Sequence, residues 1–305
     1  MNAGRTLAAG AVLALVASLA QASDPTYRLA EGSGSFLHEH HTDGRARKIT
    51  VWYHRPHTAG ADAPVVYVMH GRGRNGETYR RHWTPHAERG QFILLVPEFS
   101  RAGFGRIRQY QFGNVMRADG TMMPDAEWSF TALENIFDAV RLANVFTATH
   151  YDIYGHSAGG QFVHRMALVM PAARFRVAVA ANAGSYAMPD PGIRYPYGLG
   201  GLESANERLR AALSRRLIVL LGSEDIDPDH PSLPRAPEAM AQGAHRFERG
   251  KRFFDGARSA AGQLGVPFNW SIEITHGAHS DAQMASAAAR RVGRANGAND
   301  DAQAK

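Results

Sequence analysis

Apolar and polar positions along the chain change period several times, and each change predicts an element. Residues 34–41 and 45–54 look like two strands. They flank Thr42-Asp43-Gly44, a hairpin turn signal. Val65-Val66-Tyr67-Val68-Met69 is a short continuous apolar run between turn signals, as for a strand buried on both faces. A helix is predicted over 77–89 and another apolar strand over 91–96. Residues 97–128 carry no sustained period, and a loop of that length is usually functional. Phe130, Leu133, Phe137 and Val140 mark one face of an amphipathic helix.

A strand is predicted over 149–154 and a helix over 159–170, with Phe162, Val163, Met166, Ala167 and Met170 on one face. Strands follow at 176–181, 216–221 and 269–275. A helix spans 253–264, and a last one begins near Asp281. Residues 185–201 form an excursion rich in Gly, Pro and Tyr. Strands alternating with helices predict a mostly parallel α/β sheet. The first two strands add an antiparallel edge, and helices cover both faces. No repeat or linker is evident, so residues 23–294 are read as one domain and 295–305 as a disordered tail.

The N-terminus stands apart from this pattern. Arg5 precedes an apolar run over 7–20 and the tripeptide Ala20-Gln21-Ala22. A basic start, a short hydrophobic stretch and an A-x-A site predict a signal peptide cut after Ala22. The run is too short for a good bilayer span. The mature chain is therefore expected to be secreted or periplasmic, without stable membrane insertion.

With 305 residues, 44% of them apolar, the chain can bury one large core. It contains no cysteine, which excludes a thiol nucleophile and cysteine metal sites. Thirty-four basic and 28 acidic side chains give a net charge of +6, and loss of Arg5 leaves +5. This charge is spread along the chain, which argues against a nucleic-acid site.

The candidate chemistry lies at predicted strand ends, where sites in open α/β sheets form. Gly155-His156-Ser157-Ala158-Gly159 sits between strand and helix and matches Gly-x-Ser-x-Gly, a nucleophile elbow. Ser157 is then exposed above a helix N-terminus. Acyl transfer also needs a base, a group to orient it, and oxyanion donors. Asp225 follows a strand in Gly222-Ser223-Glu224-Asp225, with Asp227 and Asp229 as rivals. Those three acids mimic the start of a calcium loop, but His230 and Ala236 occupy the positions that need Gly and Glu. His276 and His279 both follow the last strand, and Gly277-Ala278 gives His279 the longer reach. Ser, Asp, His is the chain order of α/β-hydrolases. The oxyanion donors are expected to be the backbone N–H of Ala158 and that of Arg72, or of Gly71 in its place.

His156, Trp128 and Tyr195 are expected to contact substrate. Phe104, Tyr110, Phe112 and Tyr197 supply further aromatic surface, and Arg72, Arg74, Arg101, Arg106, Arg108, Arg117 and Arg194 supply positive charge suited to carboxylates. His38 and His40 would share one strand face; a solvated edge is the expectation, and a metal site is not. No metal or cofactor is expected.

The pieces Val68-Met69-His70-Gly71, Gly155-His156-Ser157-Ala158-Gly159-Gly160, Gly222-Ser223-Glu224-Asp225 and Gly277-Ala278-His279-Ser280 resemble the secreted polyhydroxyalkanoate depolymerase and feruloyl-esterase-like branch of the α/β-hydrolases. The resemblance spans about residues 45–290. Where many members have a cysteine after the His-Gly pair, this chain has Arg72. The resemblance implies Ser157, Asp225 and His279 as a triad. It also implies an exported serine hydrolase that cleaves carboxylic esters, of a polymer, an oligomer or an aryl acid, through an acyl-enzyme. The same family includes poly(aspartic acid) hydrolases, so amide cleavage is the alternative. A binding protein that has lost the chemistry is the third reading, and a complete set of candidates argues against it.

Overall fold

The computed structural model describes residues 25–294. The expected signal peptide and the tail lie outside them. Within them the chain forms β1 (Gly32–Thr42), β2 (Arg45–Arg55), β3 (Val65–Met69), α1 (Gly76–Gly90), β4 (Ile93–Glu98), α2 (Ser129–Asn144), β5 (Tyr151–His156) and α3 (Ala158–Val169). Next come β6 (Phe175–Ala181), α4 (Ala205–Leu213), β7 (Leu217–Gly222), α5 (Pro237–Met240), α6 (Arg246–Leu264), β8 (Trp270–Thr275) and α7 (Asp281–Ala288).

The strands make one eight-stranded sheet of order β1-β2-β4-β3-β5-β6-β7-β8. β1 and β2 are joined at Asp43-Gly44, both at positive φ, the backbone that a two-residue hairpin turn requires. β1 pairs with β2, and β2 with β4, in antiparallel register; every other pairing is parallel. The antiparallel edge and parallel body are those read from the sequence.

Side-chain alternation divides the core between the two faces. Val65, Tyr67 and Met69 of β3 and Leu217, Val219 and Leu221 of β7 join the cluster that packs on α2, α3, α4 and α6. Val66, Val68, Ile218 and Leu220 point the other way, to α1 and α7. α3 is buried at all twelve positions, so the element that follows the elbow is held on every side.

The structure extends the sequence reading in two places. α6 begins seven residues earlier than expected, capped by the His245 side chain, which accepts from Glu248 N–H. Its first two turns bury Arg246 and Arg249, and buried arginines disguise an inward face in an apolar-periodicity reading. α4 was hidden for a different reason: it buries only Leu209, Ala212 and Leu213, too few for an apolar period to stand out beside the exposed Asn206, Glu207 and Arg210. β1 corrects the expected solvated edge: His38 and His40 are buried, and His38 Nδ1 lies 3.1 Å from the Tyr27 hydroxyl.

Candidate active site

β5 ends at His156, and α3 starts at Ala158, which leaves Ser157 alone to make the turn. Its backbone sits at φ 58°, ψ −110°, a conformation that costs a non-glycine residue about 1–3 kcal/mol. Close packing enforces the turn. A Cβ on Gly155 would lie 2.2 Å from Gly159 O, and one on Gly159 would lie 2.0 Å from Met69 O. Ser157 N–H also donates to Ala181 O at 2.9 Å, which ties the turn to β6.

Two loops at the same end of the sheet complete a hydrogen-bonded chain. Ser157 Oγ lies 2.9 Å from His279 Nε2, and His279 Nδ1 lies 2.7 Å from Asp225 Oδ2. A carboxylate can only accept, so Nδ1 carries the proton and Nε2 is free to take the serine proton. Of the rival acids, Asp227 and Asp229 are exposed; Asp225 is buried. His276 is exposed and lies 3.6 Å from Glu224. Gly277, at φ 143°, turns the chain back so that His279 reaches Ser157.

Asp225 has a second partner that the sequence did not reveal. Arg246, on α6, donates to Asp225 Oδ1 at 3.2 Å, and both side chains are almost fully buried. The Arg246 guanidinium also donates to Ser232 Oγ at 2.8 Å. His156, expected to contact substrate, is instead buried behind His279. Its ring lies 4.7 Å from that of His279, and its Nδ1 lies 3.2 Å from the Tyr79 hydroxyl. Burial holds the His156 imidazole well below its ordinary pKa, and the neighbouring His279 and Arg246 add to the effect.

The turn after β3 approaches Ser157. A Cβ on Gly71 would lie 3.9 Å from Ser157 Cβ and 2.8 Å from the Tyr79 hydroxyl. His70 anchors this turn from beneath. Its Nε2 accepts from Phe99 N–H at 3.1 Å, so Nδ1 is the protonated nitrogen and donates to Gly71 O at 2.9 Å. The Tyr110 hydroxyl donates to His70 O at 2.6 Å, and the two rings stack. Burial lowers the His70 pKa to about 3. Ala158 is the first residue of α3, and the first N–H groups of a helix lack an intrahelical acceptor.

The loops supply less open aromatic and cationic surface than the sequence suggested. Trp128 lies in the core, donating its indole N–H to Met123 O, and Phe104 and Tyr110 are buried as well. Arg74 stacks on Tyr110 and donates to Phe99 O. Arg108 pairs with Asp43 at 2.9 Å, Arg101 donates to Arg72 O, and Arg117 to Met122 O. Tyr195, Tyr197 and Phe112, with Arg117 and Arg194, line a cavity of about 430 Å³ between the two long loops. Tyr195 is nevertheless largely covered, its hydroxyl donating to Phe112 O at 2.7 Å. Among the described residues no group of three or more His, Asp or Glu is placed to hold a metal. Nor is any helix among them long and apolar enough to cross a membrane.

A central sheet of this order, with a serine forced to positive φ between strand and helix and followed by an acid and a histidine at strand ends, defines an α/β-hydrolase. No family model and no curated protein matches the chain. Solved structures do. Poly(aspartic acid) hydrolase-1 from Sphingomonas sp. KT-1 is 42% identical, with a TM-score of 0.83 over 87% of this chain and 99% of that one. LpqC, the poly(3-hydroxybutyrate) depolymerase from Bordetella parapertussis, is 32% identical, with a TM-score of 0.81 over 85% and 88%. The fluorophosphonate-binding serine hydrolase FphF from Staphylococcus aureus shares the fold at 15% identity and a TM-score of 0.52, over 85% and 97%. The chain belongs to the depolymerase and esterase family of α/β-hydrolases.

Proposed function

We propose that the protein is an exported serine hydrolase that cleaves the backbone of a carboxylic polymer through an acyl-enzyme on Ser157. The hydrogen-bonded chain Asp225–His279–Ser157 carries this reading. Ser157 Oγ attacks the acyl carbonyl carbon as its proton passes to His279 Nε2. Asp225 holds the imidazole in the required tautomer and stabilises the imidazolium. The oxyanion is held by the N–H groups of Ala158 and Arg72, or of Gly71 in place of Arg72. The tetrahedral adduct collapses, and the leaving oxygen or nitrogen departs with the proton from His279. Water then attacks the acyl carbon as His279 takes its proton; the acyl C–Oγ bond breaks, Ser157 Oγ recovers that proton from His279, and the carboxylic acid leaves.

The bond cleaved has two candidates. Esters come first on leaving-group chemistry, because an alkoxide leaves more readily than an amide nitrogen. Greater similarity to the poly(aspartic acid) hydrolase, at 42% against 32% for the polyester depolymerase, favours amides of an anionic polymer as the second reading. Fluorophosphonate labelling located by peptide mass spectrometry tests the nucleophile. A panel of poly(aspartate), polyhydroxybutyrate, feruloyl esters and p-nitrophenyl esters tests the bond. Label on Ser157 with turnover of one of these is expected. Absence of label on Ser157 overturns the reading.

A further inference from the structure

His230 stands beside the base without a part in the triad. Its ring lies edge-on to that of His279, with centroids 5.2 Å apart at an interplanar angle of 67°. It sits in the loop between Asp225 and α5, and it is partly open to solvent. Its Nδ1 faces inward. Ser232 backbone N–H donates to it at 3.2 Å, the Ser232 hydroxyl lies at 3.0 Å, and the Arg246 guanidinium lies at 3.4 Å.

A backbone N–H and a guanidinium can only donate. Nδ1 of His230 must therefore keep its lone pair, and the ring proton must sit on Nε2. Arg246 and Ser232 thus fix a tautomer as well as a position. Burial, Arg246 and His279 all lower the affinity of this ring for a second proton. The side chain then presents a neutral N–H donor next to the imidazole that protonates the leaving group.

We infer that His230 is a substrate-contact residue whose Nε2–H donates to an oxygen on the leaving-group side of the scissile bond. The chemistry selects a leaving group that carries its own acceptor: a hydroxyacid or amino-acid unit with a carboxylate or carbonyl near the departing atom. A polymer of such units presents that acceptor at every step, and a simple alcohol or amine does not. Arg246 is a positioning residue here, acting through His230 and Asp225. The inference rests on the serine-hydrolase reading above.

The test uses one acyl group on four leaving groups: ethanol and glycolate as esters, ethylamine and glycine as amides. The quantity read is kcat/KM for the acceptor-bearing substrate divided by that for its plain partner. In His230→Phe, which keeps a ring against His279 and removes both nitrogens, this ratio should fall about ten-fold, the worth of one hydrogen bond. His230→Gln, whose amide reaches the position of Nε2, should recover most of it. Fluorophosphonate labelling of wild type and both variants runs alongside. Labelled proteins whose ratio is unchanged in His230→Phe, or not recovered by His230→Gln, overturn the assignment alone. Wild-type protein that takes no label overturns the serine-hydrolase reading and the assignment with it.

Discussion

Arg246 and Asp225 form an ion pair that is closed to water on both sides. The guanidinium donates to Oδ1 at 3.2 Å, and the other carboxylate oxygen is left for His279. Arg246 comes from α6 and Asp225 from the loop that follows β7, so the pair joins a helix on one face of the sheet to an acid at its rim.

Breaking a buried pair from one side leaves an uncompensated charge. Arg246→Met should cost about 3–5 kcal/mol of unfolding free energy. Adding Asp225→Asn should return part of that loss, because no bare carboxylate remains. Denaturant unfolding of the two single variants and the double variant measures the coupling. Strictly additive costs would show that the two side chains do not interact.

The two histidines after β8 differ in reach. His279 lies within hydrogen-bond distance of Ser157; His276 is exposed, beside Glu224. His279→Ala should therefore abolish nearly all turnover, and His276→Ala should leave most of it. Steady-state kinetics on whichever panel substrate is cleaved decides. Activity that survives in His279→Ala and is lost in His276→Ala would reverse the assignment.

Buried neutral imidazoles make the fold sensitive to acid. Burial lowers the His38 pKa to about 4 and that of His70 to about 3, and it depresses His156 and His164 as well. As pH falls below about 6.5, the unfolded chain binds protons that the folded state refuses. Stability is thus complete above that pH and is lost as pH falls toward 4. His38 and His70 together contribute a slope of roughly 3 kcal/mol per pH unit in that window. Unfolding midpoints at pH 7.5, 6.5, 5.5 and 4.5 should show it. A flat profile across the range would contradict these assignments.

Much of this site was legible because each candidate follows a strand, and strand ends share one rim in a parallel sheet. Ser157, Asp225 and His279 are 54 to 122 positions apart, yet the pattern alone places them together at that rim. What the pattern missed follows one physical rule. A polar side chain whose hydrogen bonds are met inside the protein looks, in sequence, like a surface residue. His70, with both ring nitrogens bonded, is of this kind, and Arg246, His38 and His40 are likewise buried, each with at least one internal partner. The loop over 97–128 misled in the opposite sense: Phe104, Tyr110 and Trp128 fold back into the core instead of lining a cleft. Their hydrophobicity is equally compatible with either fate.

Turnover by purified Ser157→Ala against wild type tests most directly whether Ser157 forms the acyl-enzyme. The comparison is made on the best substrate of the panel, with thermal unfolding to confirm that the variant is folded. Removing one Oγ leaves the elbow packing of Gly155 and Gly159 untouched. An unchanged fold and a loss of turnover on the order of 10⁶ are expected. A folded Ser157→Ala protein that keeps more than a small fraction of wild-type turnover would contradict an acyl-enzyme on Ser157.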